Sequence, residues 1–465
     1  MSYQRKKRSP VLHKNDEFEL EIEELTALGS GMGHFEGEVV FVVGAVPGDR
    51  VRCHVIKAEK NYAVARMAKL LRPSDDREQD LCTAHGCGGC MYGSVRYETE
   101  RRAKRESVRG AFRRAGLPEV EVDEVTSVGS RLHYRNKAQY PVAPGEGGRP
   151  VIGFYAPRTH RVIPAENCPL QPPEYEDMLR YIGGFCEKYG ITAYDETKKS
   201  GFLRHICLRR GTETGEVMLT TVGTSDAFPH EREFCEGFAR AFPQTVSIMH
   251  NVNARDTNVI YGPDFRCMWG RTYLTDVLAG VRLRIAAPAF YQVNHDAAAA
   301  LYRKAAGLAG LTGRELVLDL FCGAGSIGLS MAAQAREVIG VEIEKSAVEC
   351  ARHNAADNGI KNASFYCADA SDTRRLLAIA EAERGEKIRP DVVILDPPRK
   401  GCSEELLAYL SELSPQRIIY ISCNPETLAA NVATLQKRGY RPGVVAPFDL
   451  FPRTYHVESA VLLSR

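Results

Sequence analysis

The sequence predicts an α/β protein in three parts: a small β-barrel, a central α+β segment, and an open parallel sheet with intervening helices. Three observations carry this reading. Between residues 316 and 422, five apolar runs each end at a polar or reactive residue, with helical segments between them. The first of these runs (Leu316, Val317, Leu318, Asp319, Leu320) enters a glycine loop, Gly323, Gly325 and Gly328, that opens a helix. Residues 17–71, by contrast, form short alternating runs broken by glycine turns, the pattern of a small antiparallel barrel.

The sheet elements follow in order. A second run, 337–343, carries Glu342 at its end, where a carboxylate takes both ribose hydroxyls of an adenosine. A third, 363–369, ends at Asp369. A fourth, 391–395, leads into Asp396-Pro397-Pro398-Arg399. The fifth, 417–422, ends at Cys423-Asn424-Pro425. In open parallel sheets ligands sit at the carboxyl ends of the strands. The pattern therefore describes an adenosine-cofactor site in one half and reaction chemistry in the other. A GxGxxG loop alone would suit any nucleotide binder.

Composition bounds the rest. The 465 residues are 44% hydrophobic and 26% charged, ordinary globular values with enough apolar residues for a sizeable core. No apolar run reaches the length of a membrane span, and no apolar segment of a secretory signal follows Arg5, Lys6, Lys7 and Arg8. That tetrad reads as a basic tail, residues 1–15. A net charge of +2 requires any nucleic-acid affinity to come from local patches. Fourteen cysteines without a signal place the chain in a reducing compartment, the cytoplasm, with metal or catalytic thiols among them.

The barrel is expected over 16–73. Its runs are 17–25, 38–46 and two more, with Gly29, Gly31 and Gly33 between the first pair and the turn Pro47-Gly48-Asp49 after the second. This order of strand, glycine turn, strand, Pro-Gly-Asp and strand resembles the TRAM domain, an OB-like barrel of RNA-modifying enzymes, and the resemblance implies that Lys57, Lys60 and Arg66 face RNA. The segment 74–275 opens with Cys82, Cys87 and Cys90 in a glycine-rich loop, and Cys168 follows in AENCPLQ. Four thiolates suit a [4Fe–4S] cluster or zinc, and three close cysteines plus a distant fourth favour iron–sulfur. His85 lies in the same loop. Seven basic residues at helical spacing in 101–114, with Glu106 as the one acid among them, read as phosphate contacts. Arg131, Arg135 and Lys137, interleaved with His133 and Tyr134, and then Arg158, His160 and Arg161, suit single-stranded RNA.

These motifs together resemble the TRAM-containing RNA (uracil-5-)-methyltransferases, the 23S rRNA branch in particular. The resemblance covers nearly the whole chain and rests on RNKAQYPV, CPLQ, FYQVN, DLFCGAGSIGL, VILDPPRKG, YISCNP and HVES. One spacing departs: four residues separate Cys82 from Cys87, where the family has five. The resemblance implies a Rossmann-like S-adenosylmethionine methyltransferase domain over 276–465, S-adenosylmethionine and a [4Fe–4S] cluster as cofactors, and uridine C5 as target. The RNA it implies is 23S rRNA, with tRNA as the alternative, bound by a monomer.

Uracil C5 attacks a methylsulfonium only after a thiolate adds to C6. Cys423, before the helix expected at 426–437, is the expected nucleophile, its thiolate favoured by the helix N-terminus. Glu458, in the apolar run HVESAVLL, is the expected base, with His456 as rival. Asp396 is expected to meet uracil N3–H, and Arg399 the base or a phosphate. Phe290, Gln292, Asp319, Gly323, Gly325, Glu342, Asp369 and Asp396 are the expected cofactor residues. A dehydrogenase has no use for DPPRKG or SCNP. An amino-methylating enzyme would carry an aromatic where Arg399 stands, and a cytosine-5 enzyme would use Cys402. An RNA-binding iron–sulfur protein without methyltransferase activity is the non-enzymatic alternative.

Overall fold

A computed structural model of the chain describes residues 11–84, 86–385 and 387–465. The basic tetrad and His85 lie outside the described residues. Among those described, no helix is long and apolar enough to cross a membrane.

The N-terminal strands close into a six-stranded sheet in the order Glu17–Glu21, Arg50–Ala58, Tyr62–Arg72, Glu38–Val43, Gly31–Phe35, Glu24–Leu25. Alternation sets its inside: Val51, Cys53 and Val55 are fully buried, with Leu20, Val40, Val42, Ala63 and Ala65 around them. Glycine is required at position 31, where a Cβ would stand 2.8 Å from Ile22 Cγ2 and 2.9 Å from the Ala45 carbonyl. Asp49, at the end of the Pro47-Gly48-Asp49 turn, is buried and accepts from the Val46 and Ser74 amides and from Arg77. The sequence reads this barrel as antiparallel throughout, yet Glu38–Val43 pairs parallel with Tyr62–Arg72. Alternation fixes which face of a strand is buried and says nothing of a neighbour's direction.

The central part is a seven-stranded sheet that includes Lys137–Ala143, Leu203–Arg210 and Val217–Gly223. The helices Glu174–Tyr189 and Glu231–Ala241 pack on it through Met178, Ile182, Phe234 and Phe238.

The C-terminal sheet runs in the order Ala363–Cys367, Glu337–Glu342, Leu316–Leu320, Val392–Leu395, Arg417–Ser422, Glu458–Ser464, Arg441–Pro442. The first five of these strands are parallel, and Glu458–Ser464 returns antiparallel against Arg417–Ser422. All five residues of Leu316–Leu320 and all four of Val392–Leu395 are buried, as continuous apolar strands covered on both faces must be. The order reverses between these two strands, so a crevice opens at their carboxyl ends. The hairpin Tyr273–Leu278 with Val281–Ala286 and the helix His295–Ala309 join the core on one face of this sheet. The boundary expected between 275 and 276 thus falls inside a strand.

Helix Tyr97–Arg114 corrects one reading of the sequence. Its basic residues have protein partners. Lys104 is fully buried, with Nζ 2.6 Å from both Glu100 Oε1 and Asp449 Oδ1 and donating to the Phe451 carbonyl. Arg101 and Arg105 donate to the Val125 and Val122 carbonyls. Arg102 pairs with Asp76, Arg109 with Glu106 and Arg114 with Glu426. Most of these acceptors are distant in sequence, Asp449 by 345 positions, which no local reading of charge detects. The helix docks on the last domain through Val108, Ala111 and Phe112. Replacing Lys104 by Met leaves two carboxylates buried together. The expected loss is about 3–5 kcal/mol in denaturant unfolding.

Candidate active site

A cavity of about 1070 Å³ opens at the carboxyl ends of the parallel strands. Its wall includes Phe290, Gln292, Gly323, Glu342 and Asp369 as well as Asp396, Arg399, Cys423 and Glu458. These residues come from seven segments of the last 180 positions, and Arg135 reaches the same wall from just ahead of the central strand Lys137–Ala143.

The glycine loop is shaped by its own hydrogen bonds. Phe321 sits at φ 64°, a strained value for a bulky residue, and turns the chain out of the strand. Asp319 Oδ2 accepts the Gly328 amide at 2.9 Å, anchoring the start of the helix Ser326–Met331. Gly325 has φ 80°, and a Cβ there would stand 3.0 Å from the Phe365 ring. Gly323 has φ 55° and open space where its Cβ would be. Glu342 Oε2 accepts the Gly323 amide at 3.0 Å. Asp369 Oδ1 accepts from the Ser371 amide and hydroxyl, and these bonds hold its carboxyl below the usual range.

The reactive half is tied together by Asn424. Its Oδ1 caps the helix Pro425–Lys437 at the Glu426 amide, and its Nδ2 donates to the Arg399 carbonyl at 3.0 Å. The DPPRKG and SCNP turns are thereby held as one unit, with Cys423 half-buried between them.

Three carboxyls crowd this site. Burial raises Glu458 to about 8, with Asp396 adding to the rise and Arg399 opposing it. Burial raises Asp396 to about 7. Asp319 also rises to about 7, mainly by burial, against the pull of the Gly328 amide. Burial pushes the Cys423 thiol up, Glu458 and Asp396 add to this, and Arg399 draws it down. Desolvation and the two neighbouring carboxyls thus work against the thiolate that the helix N-terminus is expected to favour. His456, the rival base, is pushed down to about 4 by burial and by Arg399, whose Nη2 lies 3.4 Å from its Nδ1. Cys402 is 7% exposed, lies off the cavity wall beside Tyr420, and has a thiol raised to about 11 by burial.

A raised carboxyl carries a stability cost with a definite sign. Glu458 binds its proton more tightly in the folded chain than in the unfolded one. Its stabilising contribution is full below the unfolded value, near 4, and is lost as pH rises through about 8. Glu458→Gln is accordingly expected to gain about 1–3 kcal/mol over the parent at pH 8.5 and nothing at pH 4. Urea unfolding at both pH values measures it.

Some expected residues lie elsewhere. Asp319 and Gly325 support the loop from behind and are not on the wall. Arg131 stacks over the Tyr97 ring at 4.5 Å and lies 3.9 Å from Glu78. Lys137 is half-buried, and burial with Arg209 lowers it to about 8. Sequence reasoning missed Phe321, Phe451 and Thr454, which line the cavity, and Arg453, which orders it. Arg453 donates to Asp80 Oδ1 and to the Gly93 carbonyl, while its amide donates to Glu100. No quoted motif contains Phe451, Arg453 or Thr454, whereas Phe321 lies within DLFCGAGSIGL. The placement of Phe321 between strand and glycine loop was the one available signal.

The iron–sulfur expectation fails. Among the described residues no group of three or more His, Cys, Asp or Glu side chains is arranged to hold a metal ion. Cys82, Cys87, Cys90 and Cys168 are free thiols. Burial raises Cys87 and Cys168 and takes Cys90 to about 12, which favours neutral thiols. Protein contacts give the loop its shape instead: Gly88 packs beneath the Pro157 ring, and Arg453 ties Asp80 to Gly93. The glycines of the loop serve close approach, and Gly88 and Gly89 line the active-site cavity.

A glycine loop, an acid after the second strand, and a cysteine and carboxylates at later strand ends define a nucleotide-cofactor enzyme on an open α/β sheet. Comparison with known proteins narrows this. Residues 268–465 match the family model described as tRNA (Uracil-5-)-methyltransferase, and residues 13–68 match the TRAM domain. An uncharacterized RNA methyltransferase of Halalkalibacterium halodurans is 38% identical over 98% of this chain and 99% of its own. One of Clostridium tetani is 36% identical over 99% and 98%. The crystal structure of Pyrococcus abyssi tRNA (uracil-54, C5)-methyltransferase in complex with S-adenosyl-L-homocysteine superposes with a TM-score of 0.76. It is 27% identical and covers 96% of this chain and 100% of that one. The chain belongs to the TRAM-domain RNA (uracil-5-)-methyltransferases.

Proposed function

We propose that the protein methylates C5 of a uridine in tRNA, with S-adenosylmethionine as donor, through a covalent adduct of Cys423 to C6. The observation that carries this is the meeting of Cys423, Glu458, Asp396 and Arg399 with Gly323, Glu342, Phe290 and Gln292 on one cavity wall. The sequence motifs put 23S rRNA first. The match to a tRNA (Uracil-5-)-methyltransferase model and the full-length likeness to a tRNA (uracil-54, C5)-methyltransferase support tRNA better.

The residues fit the donor. Gly323 leaves open space that any Cβ would fill, and Glu342 faces it as the partner for ribose hydroxyls. Asp369 serves the adenine edge, and Phe290, 71% exposed on the cavity wall, flanks the methionine part with Gln292. Asp319 holds the glycine loop. The donor supplies an electrophilic methyl group.

The chain supplies the rest. The Cys423 thiol gives up its proton to solvent in the open cavity and Sγ bonds to C6, moving the C5=C6 pair toward O4 and making C5 nucleophilic. Asp396 accepts from uracil N3–H. After C5 has gained its methyl, Glu458 removes the C5 proton. The C5=C6 bond re-forms and the thiolate leaves. Arg399 and Arg135 hold the flipped base or its phosphates, and Arg131 and Lys137 extend the RNA path.

Labelled S-adenosylmethionine with unmodified tRNA and 23S rRNA, followed by nucleoside analysis, tests this. Label is expected in 5-methyluridine of tRNA. Label confined to rRNA would reverse the substrate, and label in cytidine or on an amino group would overturn the chemistry.

A further inference from the structure

The strands Val151–Tyr155 and Val162–Pro164 pair as a hairpin whose tip has no part in the chemistry above. Every residue from Pro157 to Arg161 is exposed, and Tyr155, which ends the first strand, is 36% exposed. The tip is nonetheless ordered. The Ala156 amide donates to the Arg161 carbonyl at 2.8 Å, and the Ala156 carbonyl accepts from the Thr159 amide at 3.1 Å and hydroxyl at 3.0 Å. The rings of Tyr155 and His160 lie 5.5 Å apart between centroids, tilted by 45°. Arg158 takes φ 60°, a left-handed value that strains an arginine and suits glycine, yet the sequence places a cation there.

Arg158 and Arg161 have no ion pair among the described residues. Arg158 instead opposes the charge of Lys57 on the barrel strand Arg50–Ala58, and Lys57 itself pairs with Glu59 at 2.9 Å. Glu196, the carboxylate that acts on Tyr155, is paired with Arg204 at 3.3 Å. The tip therefore presents two unneutralised guanidinium groups beside an exposed aromatic pair. Single-stranded RNA matches both features, with phosphates for the cations and unstacked bases for the rings.

Position favours the strand that carries the target. Pro157 packs against Gly88, where a Cβ would stand 2.4 Å from the proline Cγ, and Gly88 and Gly89 line the catalytic cavity. Arg161 reaches the same loop, with Nη2 3.4 Å from where a Gly86 Cβ would stand. One residue, Gly88, thus lies between the tip and the cavity.

We propose that this tip is a clamp for an unpaired nucleotide flanking the target uridine: its base stacks on Tyr155 and His160, and Arg158 and Arg161 hold the adjoining phosphates. The proposal rests on the uridine-methylation reading above. The clamp acts away from the reacting atoms, so it strengthens RNA binding and leaves the chemical step unchanged.

The test is fluorescence anisotropy of the full chain with unmodified tRNA over a range of salt, with methylation kinetics on the same RNA. Tyr155→Ala is expected to weaken binding and raise KM about tenfold, with kcat within about twofold of the parent. Tyr155→Phe keeps the ring and is expected to bind as the parent does. Arg158→Gly suits the turn and removes the cation, and is expected to reduce the slope of log Kd against log salt concentration by about 0.7. Tyr155→Ala binding within about twofold of the parent, Tyr155→Phe binding as weakly as Tyr155→Ala, or the parent's salt slope in Arg158→Gly would overturn the clamp. 5-Methyluridine is scored on the same RNA, so failure of the methylation reading shows itself separately from failure of the clamp.

Discussion

Cys423→Ala is expected to reduce 5-methyluridine formation by at least about 10⁴-fold while the chain still folds and binds both substrates. Without Sγ no bond forms at C6, and C5 is left too poor a nucleophile to take the methyl group. The loss falls on kcat, with binding of RNA and of S-adenosylmethionine changed by less than about threefold, because the thiol is half-buried and is not the chief contact of either. Cys402→Ala is the control. That thiol packs beside Tyr420 away from the cavity, and its loss is expected to lower stability modestly and leave methylation intact.

Glu458→Gln carries the second large effect, about 10²–10⁴-fold in rate. Its distinguishing sign is accumulation. Addition and methylation can proceed, but the C5 proton has no acceptor, so protein remains bonded to RNA and survives denaturing electrophoresis. The pH dependence has a definite sign. A base works only when deprotonated, and burial with Asp396 lifts Glu458 to about 8, so the parent rate is expected to climb as pH rises toward that value. The variant is expected to lose that limb of the profile. The same substitution is expected to stabilise the fold above neutral pH, so urea unfolding of the variant separates lost activity from unfolding.

Much of the site was legible because parallel strands buried on both faces read as unbroken apolar runs, and each run stops where the chain meets the crevice. Leu316–Leu320 and Val392–Leu395 are cases, and Glu342, Asp396 and Cys423 stand at or just past such ends. What stayed hidden depends on contacts between distant segments. The cationic face of Tyr97–Arg114 resembled a phosphate-binding surface until Asp449 and the Val122 and Val125 carbonyls were seen against it. The cysteine loop carries the spacing of a cluster, yet its thiols are not arranged to hold a metal, and its glycines pack beneath Pro157 and along the cavity. Asp319 looked like a cofactor residue from its place at a strand end. Its carboxylate is turned toward the Gly328 amide, a direction that the alternation of side chains does not encode.

The covalent route is tested most directly with tRNA carrying 5-fluorouridine, incubated with the protein and S-adenosylmethionine. Fluorine at C5 cannot leave as a proton, so a methylated adduct has no way to release its cysteine. A stable protein–RNA species that peptide mapping assigns to Cys423 is the expected result. No adduct, or one on Cys402 or any other residue, would contradict it.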